Sequence, residues 1–240
     1  MRYQLQSEQG DFSFRPKIFT EAIKVIVWSN IIIFLLKIIS QDPLTPFINP
    51  VVDLFGLSSN NVWPRVWQPI TYLFIHKDFL HVFFNMFVLW MFGKDLEIDW
   101  GKKQFITFYF LCGIGSGSIT TLMSMNSFIP IVGASGAIYG VLVAYGFNYP
   151  NRMVYLYGIF PLKVKYMVLG LGIIAFFASI STNQSTISHI THFSGMMIAL
   201  LYIIYIKWKS IKIWYIQLKL KSIPQNNIIQ NEEKELIKLR

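Results

Sequence analysis

The stretch 133–149, GASGAIYGVLVAYGFNY, carries no charged side chain and reads as one apolar helix whose opening turn is glycine, alanine, serine, glycine. From Ser135 to Tyr149 it has 15 residues, or roughly 22 Å of helix against about 30 Å of hydrocarbon in a bilayer. Its start must therefore lie below a membrane surface. The preceding loop, 126–133, must dip into protein, because irregular backbone at that depth is tolerated only beside protein or a water-filled cavity.

Five longer apolar runs surround this one, so membrane spans are predicted at 22–40, 71–92, 104–124, 135–149, 164–180 and 188–206. The composition agrees: of 240 residues, 54% are hydrophobic and 14% charged. With a mean hydropathy of +0.47, a disordered chain, a disulfide scaffold and a typical cytosolic enzyme are excluded together. The single cysteine, Cys112, can form no intrachain disulfide. The first span sits where a signal peptide would, but it is too long for one and is followed by Gln41-Asp42-Pro43 in place of a small-residue cleavage site, so it is read as a retained anchor.

A net charge of +9 could suggest nucleic acid, but the positions of the basic residues follow a membrane logic. Arg2, Arg15, Lys17 and Lys24 come at or before the first span, Lys94, Lys102 and Lys103 between spans 2 and 3, Arg152, Lys163 and Lys165 between spans 4 and 5, and eight more after span 6. The opposite side holds only Lys37, Arg65 and Lys77, so both termini are predicted to be cytoplasmic. Anionic lipid at that face accounts for the basicity, and no nucleic-acid partner is needed. The expected organisation is a cytoplasmic segment 1–21, a six-helix membrane domain 22–206 and a basic cytoplasmic tail 207–240. Within the domain, 42–69, with five prolines and Phe47, Phe55, Trp63 and Trp67, reads as a structured interfacial loop on the outer side. The stretch 207–221 alternates lysines with apolar residues, as a surface helix or a stop-transfer anchor does.

Polar groups inside a span need a reason, since each unsatisfied one costs several kcal/mol in hydrocarbon. His81 and Asn85, four residues apart, share a face of span 2. Ser135 lies in the first turn of span 4 and His192 about one turn into span 6. Spans 2, 4 and 6 all run inward from the outer face, so these residues fall at one shallow depth. A helix-opening serine has unpaired N–H groups around it, a setting suited to an oxyanion. Gly133 permits the turn, Gly136 and Gly140 form a small-residue face for close helix approach, and Tyr139 lies one turn below Ser135. Gly195, three residues after His192, makes span 6 the natural neighbour.

Gly133-Ala-Ser135-Gly136-Ala-Ile-Tyr139-Gly140, preceded by His76 and His81-x-x-x-Asn85 and followed by His192-x-x-Gly195, resembles the rhomboid intramembrane serine proteases. The likeness runs from about Trp63 to Tyr205 and includes the Trp67 loop and 93–101 with Glu97. It implies an all-α, six-transmembrane-helix bundle that cleaves transmembrane segments of other membrane proteins near their outer ends, with no cofactor and no metal. By the same resemblance Ser135 is the nucleophile, His192 the general base, Tyr139 the ring set against the imidazole, and His81, Asn85 and the Ser135 N–H the oxyanion hole. Two departures stand out: Gln68 follows Trp67 where arginine is usual, and Ala199 holds a position often occupied by glycine.

The residues suit the chemistry, because peptide hydrolysis needs an activated nucleophile and a proton shuttle near neutrality. The resemblance implies a dyad, and no Asp or Glu occurs in spans 4, 5 or 6 to serve as a third member. Ser116, Ser118 and the serines from Ser181 to Ser188 are expected to line a polar vestibule for water. Three blander readings compete. Ser135 could merely cap its helix. The four histidines, His76, His81, His189 and His192, could hold haem or a metal, but no Cys, Asp or Glu accompanies them at ligand spacing. The chain could also be a non-catalytic rhomboid-like scaffold that binds membrane proteins. His76 and His189 are read as structural and hydrogen-bonded, Glu97 as a cap or loop anchor, and Gly113-x-x-x-Gly117 as a helix-packing pair. The compact six-span core suggests a bacterial plasma membrane, with an organelle membrane as the alternative.

Overall fold

The computed structural model describes residues 18–41, 49–60, 62–124, 130–156, 159–180 and 186–221. Helices dominate: α1 (Glu21–Ile39), α2 (Pro50–Phe55), α3 (Gln68–Thr71) with a 3-10 turn at Tyr72–Phe74, and α4 (Phe79–Val88), which continues through a π-helical turn, Leu89–Gly93, into α5 (Lys94–Trp100). Then come α6 (Lys102–Met123), α7 (Ser135–Asn148), an antiparallel hairpin of β1 (Met153–Leu156) and β2 (Phe160–Lys163), α8 (Val164–Ile180) and α9 (Thr186–Lys221). The hairpin, between predicted spans 4 and 5, was not expected of an all-α fold.

Each predicted span has a helical counterpart. Glu21–Ile39, Phe79–Trp100, Lys102–Met123 and His189–Lys209 are long and apolar enough to cross a bilayer, so the chain is a multi-pass integral membrane protein. Val164–Ile180 is shorter, and α7 has 14 residues. The short α7 lies at the centre of the bundle, packed by α6, α8, α9 and the π-helical turn. Gly136, Ala137, Ile138 and every residue from Gly140 to Tyr145 are buried, as expected of a helix that is apolar all round.

Span 2 begins later than predicted, at Phe79 instead of 71. The cause is local: Asp78 caps α4 by accepting the His81 N–H at 2.8 Å, so the chain before it must leave the helix. That upstream segment is held from α1, whose Lys37 ammonium donates to the carbonyls of His76 (2.7 Å) and Lys77 (2.5 Å). At the other end of α1, the buried Glu97 carboxylate of α5 accepts the Ala22 N–H at 2.7 Å, the Ile23 N–H at 3.0 Å and the Thr20 hydroxyl. Glu97 is thus an anchor, but of a helix N-terminus, where a carboxylate also meets the positive end of the dipole.

The 49–71 region is ordered by backbone-directed side chains. Asn49 caps α2 through the Val51 and Val52 N–H groups, and Arg65 donates to the Asp53 carbonyl at 2.7 Å and pairs with its carboxylate at 3.1 Å. Gln68, the departure from the resembling pattern, is fully buried: its Oε1 accepts the Ser58 N–H at 3.3 Å and its Nε2 reaches the Asp53 and Leu54 carbonyls at 3.4 Å each. Trp63, Val66 and Trp67 stay exposed on this segment. Far from it, Arg152 joins the Asp95 carboxylate and the Tyr145 hydroxyl (2.5 Å), and Tyr149 donates to Asp99, tying α5 to α7. Helix α9 runs without a break from Thr186 through Lys221.

Candidate active site

The backbone that delivers Ser135 is held on both sides. Leu57 and Ile131 form an isolated antiparallel bridge, and the Gly133 N–H donates to the Tyr72 carbonyl at 2.9 Å. Gly133 has φ +112°, a conformation that strains any residue with a Cβ. A Cβ there would also lie 2.7 Å from the His81 ring, so that ring sits directly beneath the turn. Ile131, Gly133 and Ala134 are all buried, as a loop dipping into protein requires.

The N-cap position of α7 belongs to Ala134, and no side chain caps the helix. Ser135 is therefore not a capping serine. Its Oγ lies 2.8 Å from Nε2 of His192 on α9, and the imidazole stacks on Tyr139 with ring centroids 4.2 Å apart and planes 4° from parallel. The two helices approach closely enough for this because Gly195 presses on Gly136: a Cβ on Gly195 would run into the Gly136 carbonyl. Gly140 serves α6 as well as α9, since a Cβ there would meet Cys112 Sγ at 2.7 Å and the Gly195 carbonyl at 3.3 Å. Ala199, the smaller departure, is completely buried on α9.

His81 and Asn85 lie on one face of α4, with Asn85 Nδ2 donating to the His81 carbonyl at 2.7 Å. An amide nitrogen has two N–H groups, so one of them is engaged by this bond and one is not. His76 departs from its reading as hydrogen-bonded near the interface: it is fully buried, meets His81 edge-on at 5.0 Å, and among the described residues neither ring nitrogen has a partner at hydrogen-bond geometry. His189 lies edge-on to His192 at 6.1 Å. Among the described residues no three His, Cys, Asp or Glu side chains gather as metal ligands would.

The predicted vestibule does not form as drawn. Ser116 is fully buried, donating to the Gly113 carbonyl at 2.9 Å and lying 3.4 Å from the Tyr72 hydroxyl, while Ser118 is exposed on the outside of α6. The side chains of 181–188 lie outside the described residues. Nor do Gly113 and Gly117 receive another helix; they make room for Leu73 and Tyr72 of the 3-10 turn and for Leu57. The sequence reading also passed over Thr120 and Thr191, buried hydroxyls that meet at 3.0 Å between α6 and α9. The available signal was a threonine immediately before His192.

Residues 64–209 match the model of the rhomboid domain. The chain belongs to the rhomboid family. It is similar to mitochondrial Rhomboid protein 1 of Saccharomyces cerevisiae, with 31% identity over 141 residues, covering 54% of this chain and 38% of that protein. Rhomboid protease GluP of Bacillus subtilis is 35% identical over 92 residues, 38% of this chain and 18% of the relative. The mitochondrial presenilin-associated rhomboid-like protein of Mus musculus is 28% identical over 155 residues, 59% of this chain and 40% of the relative. This rhomboid thus matches less than half the length of each of these three relatives. With mitochondrial proteins among them, they do not carry the expectation of a bacterial plasma membrane. The family includes proteins named as proteases.

Proposed function

We propose that this rhomboid is an intramembrane serine endopeptidase that cuts transmembrane segments of other membrane proteins near their outer ends, with Ser135 as nucleophile and His192 as general base. The observation that carries the reading is the 2.8 Å contact between His192 Nε2 and Ser135 Oγ, made by a serine that caps nothing. Hydroxyl and imidazole at that distance suit a dyad. Ser135 Oγ attacks the scissile carbonyl as its proton passes to Nε2, and the imidazolium returns that proton to the leaving amine. Water, deprotonated by the same nitrogen, then releases the acyl group from Ser135. The oxyanion is met by the unpaired N–H at the start of α7, with His81 beneath Gly133 and the second N–H of Asn85 as further donors.

A helical substrate shields its peptide bonds with its own hydrogen bonds and must unwind first, which favours segments carrying glycine or proline near the cut. The Lys and Arg distribution supports a cytoplasmic placement of both termini against anionic lipid, with Ser135 toward the outer face. The test is cleavage of a model single-span substrate by the protein reconstituted in vesicles. Ser135→Ala and His192→Ala should each reduce it to background. Cleavage persisting in Ser135→Ala removes the dyad, and an inactive wild type that still binds the substrate supports a scaffold instead.

A further inference from the structure

One element of the dyad's geometry needs a cause: what turns the His192 ring toward Ser135. Soluble triads use a carboxylate, but α6, α7, α8 and α9 contain no Asp or Glu. The Tyr139 ring supplies a flat surface for the imidazole, yet a stack fixes a plane and leaves the ring free to slide within it. The remaining variable is the roll of α9 about its own axis.

We propose that the buried hydroxyl pair Thr191–Thr120 is the device that fixes this roll, making both threonines positioning residues for His192. Thr191 precedes His192, so the two side chains leave α9 about 100° apart. Thr191 is buried against α6, where its hydroxyl meets that of Thr120 at 3.0 Å. Thr120 is in turn fastened to its own helix by a 2.7 Å bond to the Ser116 carbonyl. The methyl group of Thr191 faces α7: a Cβ on Gly136 would come 3.0 Å from Thr191 Cγ2 and would run into Ser116 Oγ. One side chain therefore touches both neighbouring helices, and on the α7 side it touches the residue that follows the nucleophile. With Thr191 pinned toward α6, the next residue is directed to Ser135 and Tyr139. A hydroxyl pair buried between helices has no water to compete with it, so the roll that brings the two hydroxyls together is favoured over one that parts them.

The inference rests on the dyad reading, and the experiment separates the two. In vesicles, the rate at which a fluorophosphonate labels Ser135 and the kcat and KM for a model substrate are measured on folded protein, with the thermal midpoint of each variant. Thr191→Val keeps the shape and removes the hydroxyl. It should lower labelling and kcat about tenfold with KM unchanged, the scale of a sub-ångström misplacement of a catalytic group. Thr191→Ser should restore both to within about twofold. Thr120→Val should show a similar loss, and the double valine variant much less than the sum of the two, because both remove the contact that the two hydroxyls share. Should Thr191→Val fail to fold, Thr120→Val decides alone. Wild-type labelling in the folded valine variants, with Ser135→Ala silent, overturns the positioning role only. Labelling that survives in Ser135→Ala overturns the dyad itself.

Discussion

Ser135 shows how a side chain can be freed for chemistry by its neighbours. An isolated serine at a helix start ordinarily caps it, but here Ala134 takes the N-cap position and the hydroxyl turns to His192. Asn85 shows the reverse economy: in the absence of substrate it satisfies one N–H on its own helix. Asn85→Ala is expected to lower kcat about 10²- to 10³-fold, the usual cost of one oxyanion donor, and to slow fluorophosphonate labelling of Ser135 as well, because the phosphoryl oxygen takes up charge in the same site. Cleavage kinetics and probe labelling on one preparation check this. Gln68 is the second residue with a definite consequence. Its side-chain amide holds the Ser58 N–H and the Asp53 and Leu54 carbonyls, and Gln68→Ala leaves the buried Ser58 N–H without that acceptor. A loss of about 1–3 kcal/mol is expected, read from denaturant unfolding in detergent.

The crossing of α7 and α9 is the element-level feature on which the site depends. Gly195 admits the Gly136 backbone so closely that no Cβ fits between them. Gly195→Ala is therefore expected to push the helices apart, cost about 1–3 kcal/mol of stability by overpacking, and separate imidazole from hydroxyl. Thermal midpoint and cleavage should fall together. This crossing was legible beforehand, because small residues at helical spacing have few other uses in a membrane. The start of α4 is not set by hydropathy: apolar residues run from 72 to 75 and again from 79, and it is the Asp78 cap between them that starts the helix. The vestibule failed for a related reason. Periodicity put Ser116 on a helix, but whether its hydroxyl meets water or the Tyr72 turn depends on a segment distant in sequence.

Across the bundle, the ends are tied by different chemistry. Glu97 closes α1 onto α5 at one end, and Lys37 closes it onto the segment before α4 at the other. Glu97→Ala strips two N–H groups and a hydroxyl of their acceptor, so an unfolding free-energy loss of about 3 kcal/mol is expected, with near-normal kcat in the folded fraction. That separation follows from distance, because Glu97 and His81 are sixteen residue steps apart along continuous helix, roughly 24 Å. Hydrophobic run length, charge asymmetry and small-residue spacing are properties of the chain alone, and from them came the membrane solvent, the spans and the shared depth of Ser135 and His192. Local pattern carries no information on which distant groups share a buried space. The buried His76, the clamp at Glu97, the buried Ser116 and the Thr191–Thr120 pair were decided only when packing chose which polar groups would face one another inside the bundle.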